Sequence, residues 1–118
     1  MMDTQTLEKD TNLVAFIHGV NKKIRDYWTR MNFTHSEPPV VLVHNIGKRY
    51  ARLASFKRNV VTGKLAADSV YCFYDFTNGD LLKGSWKAPV ANGVRGNVKE
   101  SNVLDKFTEY GPKYLNGR

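Results

Sequence analysis

A chain of 118 residues that is 42% hydrophobic and 25% charged is sized for one domain, residues 1–118, with a buried core, and its composition excludes a disordered or low-complexity polypeptide. The formal charge of +7 points to a polyanionic partner, either nucleic acid or an anionic membrane surface, without deciding between them. No apolar run nears the ~20 residues that cross a bilayer, and the polar start lacks the basic and apolar regions of a secretory signal, so a cytoplasmic protein with no membrane partner is expected.

Leu13, Phe16, Ile17, Val20, Ile24, Tyr27, Trp28 and Met31 recur at three- and four-residue spacings, which predicts a helix over about 12–31 with one apolar stripe. Asp10, Thr11 or Asn12 can cap its start, and Pro38 and Pro39 forbid its continuation. After the prolines the texture turns to β. Val40 to Ile46 is rich in β-branched residues, Gly47 and Lys48 offer a turn, and Arg49 to Arg58 alternates as a second strand.

That second strand carries the main functional signal. Residues 36–67 hold six of the 18 Lys and Arg against one acid, and the six all fall between Lys48 and Lys64. Period two places Tyr50, Arg52, Ala54, Phe56 and Arg58 on one face, with Ala51, Leu53 and Ser55 on the other. The small apolar face suits burial. The face left outward mixes rings with guanidinium groups, which suits base stacking together with phosphate contact. The plainer alternative is a solvated edge strand whose cations discourage aggregation.

Asn59 to Ser69 reads as a loop. Val70 to Thr77 and Asp80 to Trp86 then flank Asn78-Gly79, a strong hairpin signal. A two-residue turn pairs Phe76 with Leu81, Tyr74 with Lys83 and Tyr71 with Trp86, leaving Tyr71 and Trp86 as a stacking platform or a cross-strand packing pair. The lone cysteine, Cys72, excludes an internal disulfide and fits a buried strand position in a reducing compartment. Residues 87–98 form a Gly- and Pro-punctuated basic loop in which Arg95 is the natural phosphate contact. A short helix from Ser101 to Phe107 and a tail complete residues 100–118. The expected fold is α+β: an N-terminal helix on a four-stranded antiparallel meander near 40–46, 49–58, 70–77 and 80–86, plus the C-terminal helix.

No catalytic motif emerges. His18, His35 and His44 lack ligand spacing and have one cysteine to join them, so neither a metal nor a cofactor is expected. Asp75 and Lys83 resemble the carboxylate and lysine of metal-dependent nucleases, but two common residues do not make that motif. A non-enzymatic protein is therefore expected, with the small nuclease as a minor alternative.

The run Val70-Tyr71-Cys72-Phe73-Tyr74-Asp75, followed by Asn78-Gly79-Asp80-Leu81-Leu82-Lys83, Ser85-Trp86-Lys87-Ala88-Pro89 and Arg95-Gly96-Asn97, resembles small phage-encoded proteins of unassigned function. The resemblance spans roughly residues 48–98. It implies a viral source, a place in the host cytoplasm, and work on nucleic acid during replication or recombination. The residues themselves point to sequence-tolerant binding of single-stranded DNA, with RNA as the second choice. Arg49, Tyr50, Arg52, Phe56, Arg58, Lys83, Trp86, Lys87 and Arg95 are the expected contacts, and self-association is left open. The rival is a structural or host-interaction protein, because Tyr, Trp and Arg also dominate protein interfaces.

Overall fold

A computed structural model describes residues 4–33 and 37–113. A short helix α1 (Thr4–Glu8) leads into the long helix α2 (Thr11–Arg30). Asp10 is the N-cap between them, its carboxylate accepting from the Leu13 amide at 3.1 Å, which satisfies one of the free donors of the first turn. The same carboxylate accepts from the Tyr74 hydroxyl, so the cap also ties the helix start to the sheet. Leu13, Phe16, Val20 and Ile24 are buried along one stripe of α2.

The helix stops through a Schellman motif. Asn32 takes a positive φ of 55°, a conformation that Asn tolerates better than most residues. Its amide donates to Thr29 O at 3.1 Å and the Phe33 amide to Trp28 O at 3.2 Å. The hydrophobic contact that accompanies this motif is the Phe33 ring against Trp28, centroids 4.9 Å apart. Met31, expected on the apolar stripe, is instead the C-cap and is exposed.

Five strands form one antiparallel meander in the order β1 (Val40–Ile46), β2 (Tyr50–Arg58), β3 (Leu65–Asp75), β4 (Asp80–Gly84) and β5 (Pro89–Asn97). The α+β class and the N-terminal helix agree with what the sequence predicts; the four-strand count does not. The segment 87–98, expected as a loop, supplies the fifth strand. Its Pro89, Gly93 and Gly96 depress β propensity, yet it pairs with β4 through a register that shifts twice. The composition of segment 59–69 also implies a loop throughout, but β3 begins at Leu65, pairing with Arg58. The expected C-terminal helix is a single 3-10 turn, Val103–Lys106, followed by a two-stranded ladder of β6 (Phe107–Thr108) and β7 (Gly111–Pro112). His35 and residues 114–118 of the expected tail lie outside the described residues.

Ala51 and Leu53 of β2, Cys72 and Tyr74 of β3 and Leu81 of β4 meet the α2 stripe in one apolar core. Burial of Cys72 pushes its thiol pKa far up, as an inert packing thiol requires. The β1 edge is blunted in two ways. The Asn21 side chain of α2 accepts from the Val41 amide at 2.7 Å and donates to the Val41 carbonyl at 3.1 Å, standing in for one rung of a missing strand. His44 is then the extra residue of a bulge between Val43 and Asn45, a second device against edge pairing.

Candidate functional site

With α2 covering the Ala51/Leu53 face, alternation turns Tyr50 and Arg52 of β2 to the opposite side of the sheet. There they meet Phe73 of β3: Tyr50 stands edge-on to its ring at 6.5 Å and the Arg52 guanidinium lies 5.5 Å from its centroid. Phe73 pairs with Leu82 on β4 and can occupy this position because the diagonal residue on that face is Gly84. A Cβ there would fall 2.2 Å from the Phe73 ring.

Beyond Gly84 the chain leaves the sheet and folds back as the β4–β5 loop. This brings Trp86 over Arg52, with the guanidinium 5.6 Å from the indole centroid and donating to the Trp86 carbonyl. Arg52 is thus held between two rings, which is favourable for a flat, weakly hydrated cation. His44, projected by the β1 bulge, extends the cluster: its ring lies 5.3 Å from Trp86 and 5.9 Å from Phe56, and its Nδ1 is 3.5 Å from Arg52 Nη1.

Alongside this cluster runs a groove of about 430 Å³ lined by Lys48, Arg49, Tyr50, Arg52, Phe73 and Lys87, together with Asn45, Gly47, Ala88 and Pro89. Four of its lining residues are cations and none is an acid. Arg49 lies over the Tyr50 ring at 5.2 Å and pairs through Nε with Asp75 at 2.8 Å. Asp75 is buried, while more than half of the Arg49 side chain reaches solvent. Burial pushes the Asp75 carboxyl up, but hydrogen bonds from the Thr77 hydroxyl and amide and the Arg49 ion pair outweigh it and hold the group below the usual carboxylate range. Asp75 in turn raises the Arg49 guanidinium. The arrangement offers fixed positive charge and ring faces in one concavity, which is what holds phosphates and unstacked bases together.

The structure therefore brings Arg49, Tyr50, Arg52 and Lys87 into one groove, with Trp86 and Phe56 on the adjoining cluster. The remaining expected contacts are elsewhere. Arg58 sits at the far end of β2, bonded to Glu37 at 3.3 Å and to the Gly63 carbonyl at 2.7 Å. Lys83 shares the Leu81 side of β4 by alternation, away from Phe73. Arg95 is an extra residue in the β4–β5 register, between the Leu81/Gly96 and Leu82/Val94 pairs, and lies outside the groove lining.

Two placements need correction. Ala54, assigned to the outward face, is fully buried yet stands outside the core that α2 covers; the register shift beside it, between Leu53 and Ala54, takes its extra residue from β3. Tyr71 does not face Trp86. It is the residue skipped at that same shift, and it stacks on Phe107 at 6.0 Å while donating to Thr108 O at 2.5 Å. Burial raises its phenol pKa strongly.

Lys48, Phe73 and His44 are not among the contacts the sequence predicts. Lys48 is visible as part of the acid-free run, whereas His44 enters through a bulge that no period-two pattern announces. Asp75, the carboxylate of the nuclease alternative, is committed to Arg49 and Thr77. Among the described residues no three His, Cys, Asp or Glu side chains gather as a metal site, and no helix is long and apolar enough to cross a membrane. A scan against protein-family models finds no match, and searches of curated proteins and of solved structures likewise return none. The likeness to phage proteins accordingly rests on the sequence pattern of residues 48–98 alone.

Proposed function

We propose that this protein binds single-stranded nucleic acid, DNA first, without strong sequence preference, as a non-enzymatic factor in phage replication or recombination in the host cytoplasm. The observation that carries the reading is the acid-free groove, where Lys48, Arg49, Arg52 and Lys87 surround the faces of Tyr50 and Phe73. Lys48, Arg49 and Lys87 contact phosphates in this reading, while Tyr50 and Trp86 stack bases. Arg52, already engaged by two rings and the Trp86 carbonyl, positions the loop that carries Lys87.

Three or four phosphate contacts predict a slope of log K against log salt of about −2 to −3 for a single strand. Fluorescence anisotropy with an unstructured oligonucleotide at several salt concentrations measures it. Arg49→Ala and Lys87→Ala should each weaken binding to unrelated sequences alike and flatten the slope by about 0.7. Salt-independent binding, or none at low salt, defeats the proposal.

One observation favours the rival class. Tyr27 meets Trp28, Phe33 and Tyr110 edge-to-face at 5.8 to 6.3 Å, with Arg30 5.6 Å from its ring. Phe33, Met31 and Tyr110 are exposed around it, a composition typical of protein interfaces. A protein partner on this patch would bind with little salt dependence and would be lost on Phe33→Ser, with the groove intact.

A further inference from the structure

The hairpin of β2 and β3 outruns the rest of the sheet. β1 reaches only as far as the Val40/Phe56 pair and β4 pairs with β3 at Phe73 and Tyr74, so Lys57 to Ala66 stands as a two-stranded arm with every residue exposed. An isolated two-stranded ribbon is marginal in water, yet this one ends in a tightly bonded tip. The Asn59 side chain accepts from the Val61 amide at 2.8 Å and the Thr62 amide at 3.0 Å, and its backbone exchanges bonds with Gly63 and Lys64. Gly63 takes the positive φ of 73° that closes the turn, and Arg58 clamps its carbonyl.

What this fixed tip presents is apolar. Val60 and Val61 are 96% and 88% exposed. Single apolar residues scattered on a surface call for no explanation, but two adjacent ones held in a hydrogen-bonded turn at the end of an arm form a preorganised apolar contact. The arm starts just past Phe56, so β2 runs from the groove at Tyr50 to Arg58, at the foot of the tip, over roughly 26 Å at ~3.3 Å per residue.

We infer, resting on the single-strand reading above, that the Val60/Val61 tip packs against the terminal base pair of a duplex, so that the preferred substrate is a junction whose single-stranded tail runs along β2 toward the groove. Apolar side chains placed against base steps are a recurrent device of DNA-binding proteins. A base-pair face is itself flat and uncharged, which matches the Val60/Val61 apex, while Lys57 and Arg58 below it are paired with Asp68 and Glu37 and Lys64 is exposed at the flank. A lipid surface fits less well. Those same acids offset two of the three cations that would draw the arm to anionic headgroups, and two valines bury far less apolar area than one acyl chain, which itself anchors only marginally.

The test compares a bare oligonucleotide, a blunt duplex and a tailed duplex carrying 2-aminopurine at its terminal pair, for the wild type and for Val60→Ser/Val61→Ser. The expected result is several-fold tighter binding of the tailed duplex than of the bare strand, with 2-aminopurine emission changing on binding. The double variant keeps its affinity for the bare strand and loses the junction preference. Asn59→Ala, which unties the tip without removing the valines, lowers the preference as well. Equal wild-type affinity for tailed duplex and bare strand overturns the inference while leaving the single-strand reading intact, whereas failure to bind the bare strand defeats that reading itself. Valine-dependent binding to phosphatidylserine vesicles without junction preference assigns the tip to a membrane and also overturns it.

Discussion

Arg52 and Trp86 engage each other twice, through the guanidinium 5.6 Å from the indole centroid and through a hydrogen bond to the Trp86 carbonyl. One side chain of β2 thereby fixes the loop that carries Lys87 into the groove. Arg52 Nε is buried with no partner among the described residues, so the fork is committed to its Nη groups and to the two rings.

Arg52→Ala should therefore loosen the β4–β5 loop and cost about 1–2 kcal/mol, from a charged hydrogen bond and two partly solvated cation–π contacts. Arg52→Lys should restore only a fraction, since an ammonium cannot lie flat between rings while reaching the carbonyl. Denaturant unfolding measures the cost, and red-shifted Trp86 emission in a Trp28→Phe background reports the loosening. Full recovery with Lys would show that charge alone matters.

Asp75 predicts a pH dependence of stability. Its carboxyl is held below the ordinary value of ~3.9. A depressed folded-state pKa gives stability that is complete above the unfolded value and is lost as pH falls through the folded one. Wild-type melting temperature should thus be level from neutrality to about pH 4 and then drop. Asp75→Asn should melt lower at pH 7, by about 1–3 kcal/mol, and show a shallower acid limb. An equally steep limb in the variant would assign acid unfolding to other carboxylates.

Gly84 leaves room for Phe73, which lines the groove. In Gly84→Ala the new Cβ meets Phe73 ring carbons at 2.2 and 2.4 Å and the Ala88 carbonyl at 3.0 Å. The ring has little freedom to yield, because Tyr50 and Arg52 pack on it. Overpacking of this kind costs about 1–3 kcal/mol, and the displaced ring should also weaken oligonucleotide binding. Gly63→Ala is the contrast: nothing lies within 4 Å of its Cβ position, so its cost is the backbone strain of a positive φ, about 1–2 kcal/mol. Thermal unfolding of both variants together with oligonucleotide titration separates the two mechanisms.

These sites show which physics the sequence exposes and which it hides. Helix α2 and the outward Tyr50/Arg52 face are legible because each follows from apolar periodicity and a buried stripe, and strand β1 because of its run of β-branched residues. The hairpin is legible as an element but displaced by two residues in register: Tyr74 pairs with Leu81, where Asn78-Gly79 alone implies Phe76. Asp75 accounts for the shift. Its carbonyl takes the Asn78 and Gly79 amides and its carboxylate takes Thr77, lengthening the turn. An even shift keeps side chains on their faces, which is why Leu81 still reaches the core. Strand β5 is hidden by its glycines, and the placement of Trp86 by a loop whose path depends on Arg52, a contact 34 residues away.

Asn21 bonds both backbone groups of Val41 through its side chain. Asn21 is half-buried on α2 and Val41 is fully buried, so water replaces those bonds poorly. Asn21→Ala should cost about 1–3 kcal/mol for the two groups left unsatisfied. It should also open the first rung of the β1 edge, and an uncovered edge rung invites pairing with another chain. The expected signature is lower stability together with association that rises with protein concentration, read by sedimentation velocity below the melting temperature. Asn21→Asp discriminates the two parts, since a carboxylate accepts from the Val41 amide but cannot donate to its carbonyl. It should recover part of the stability while its charge keeps the edge monomeric. An Asn21→Ala protein as stable and as monomeric as the wild type would show that the bulge at His44 protects the edge unaided.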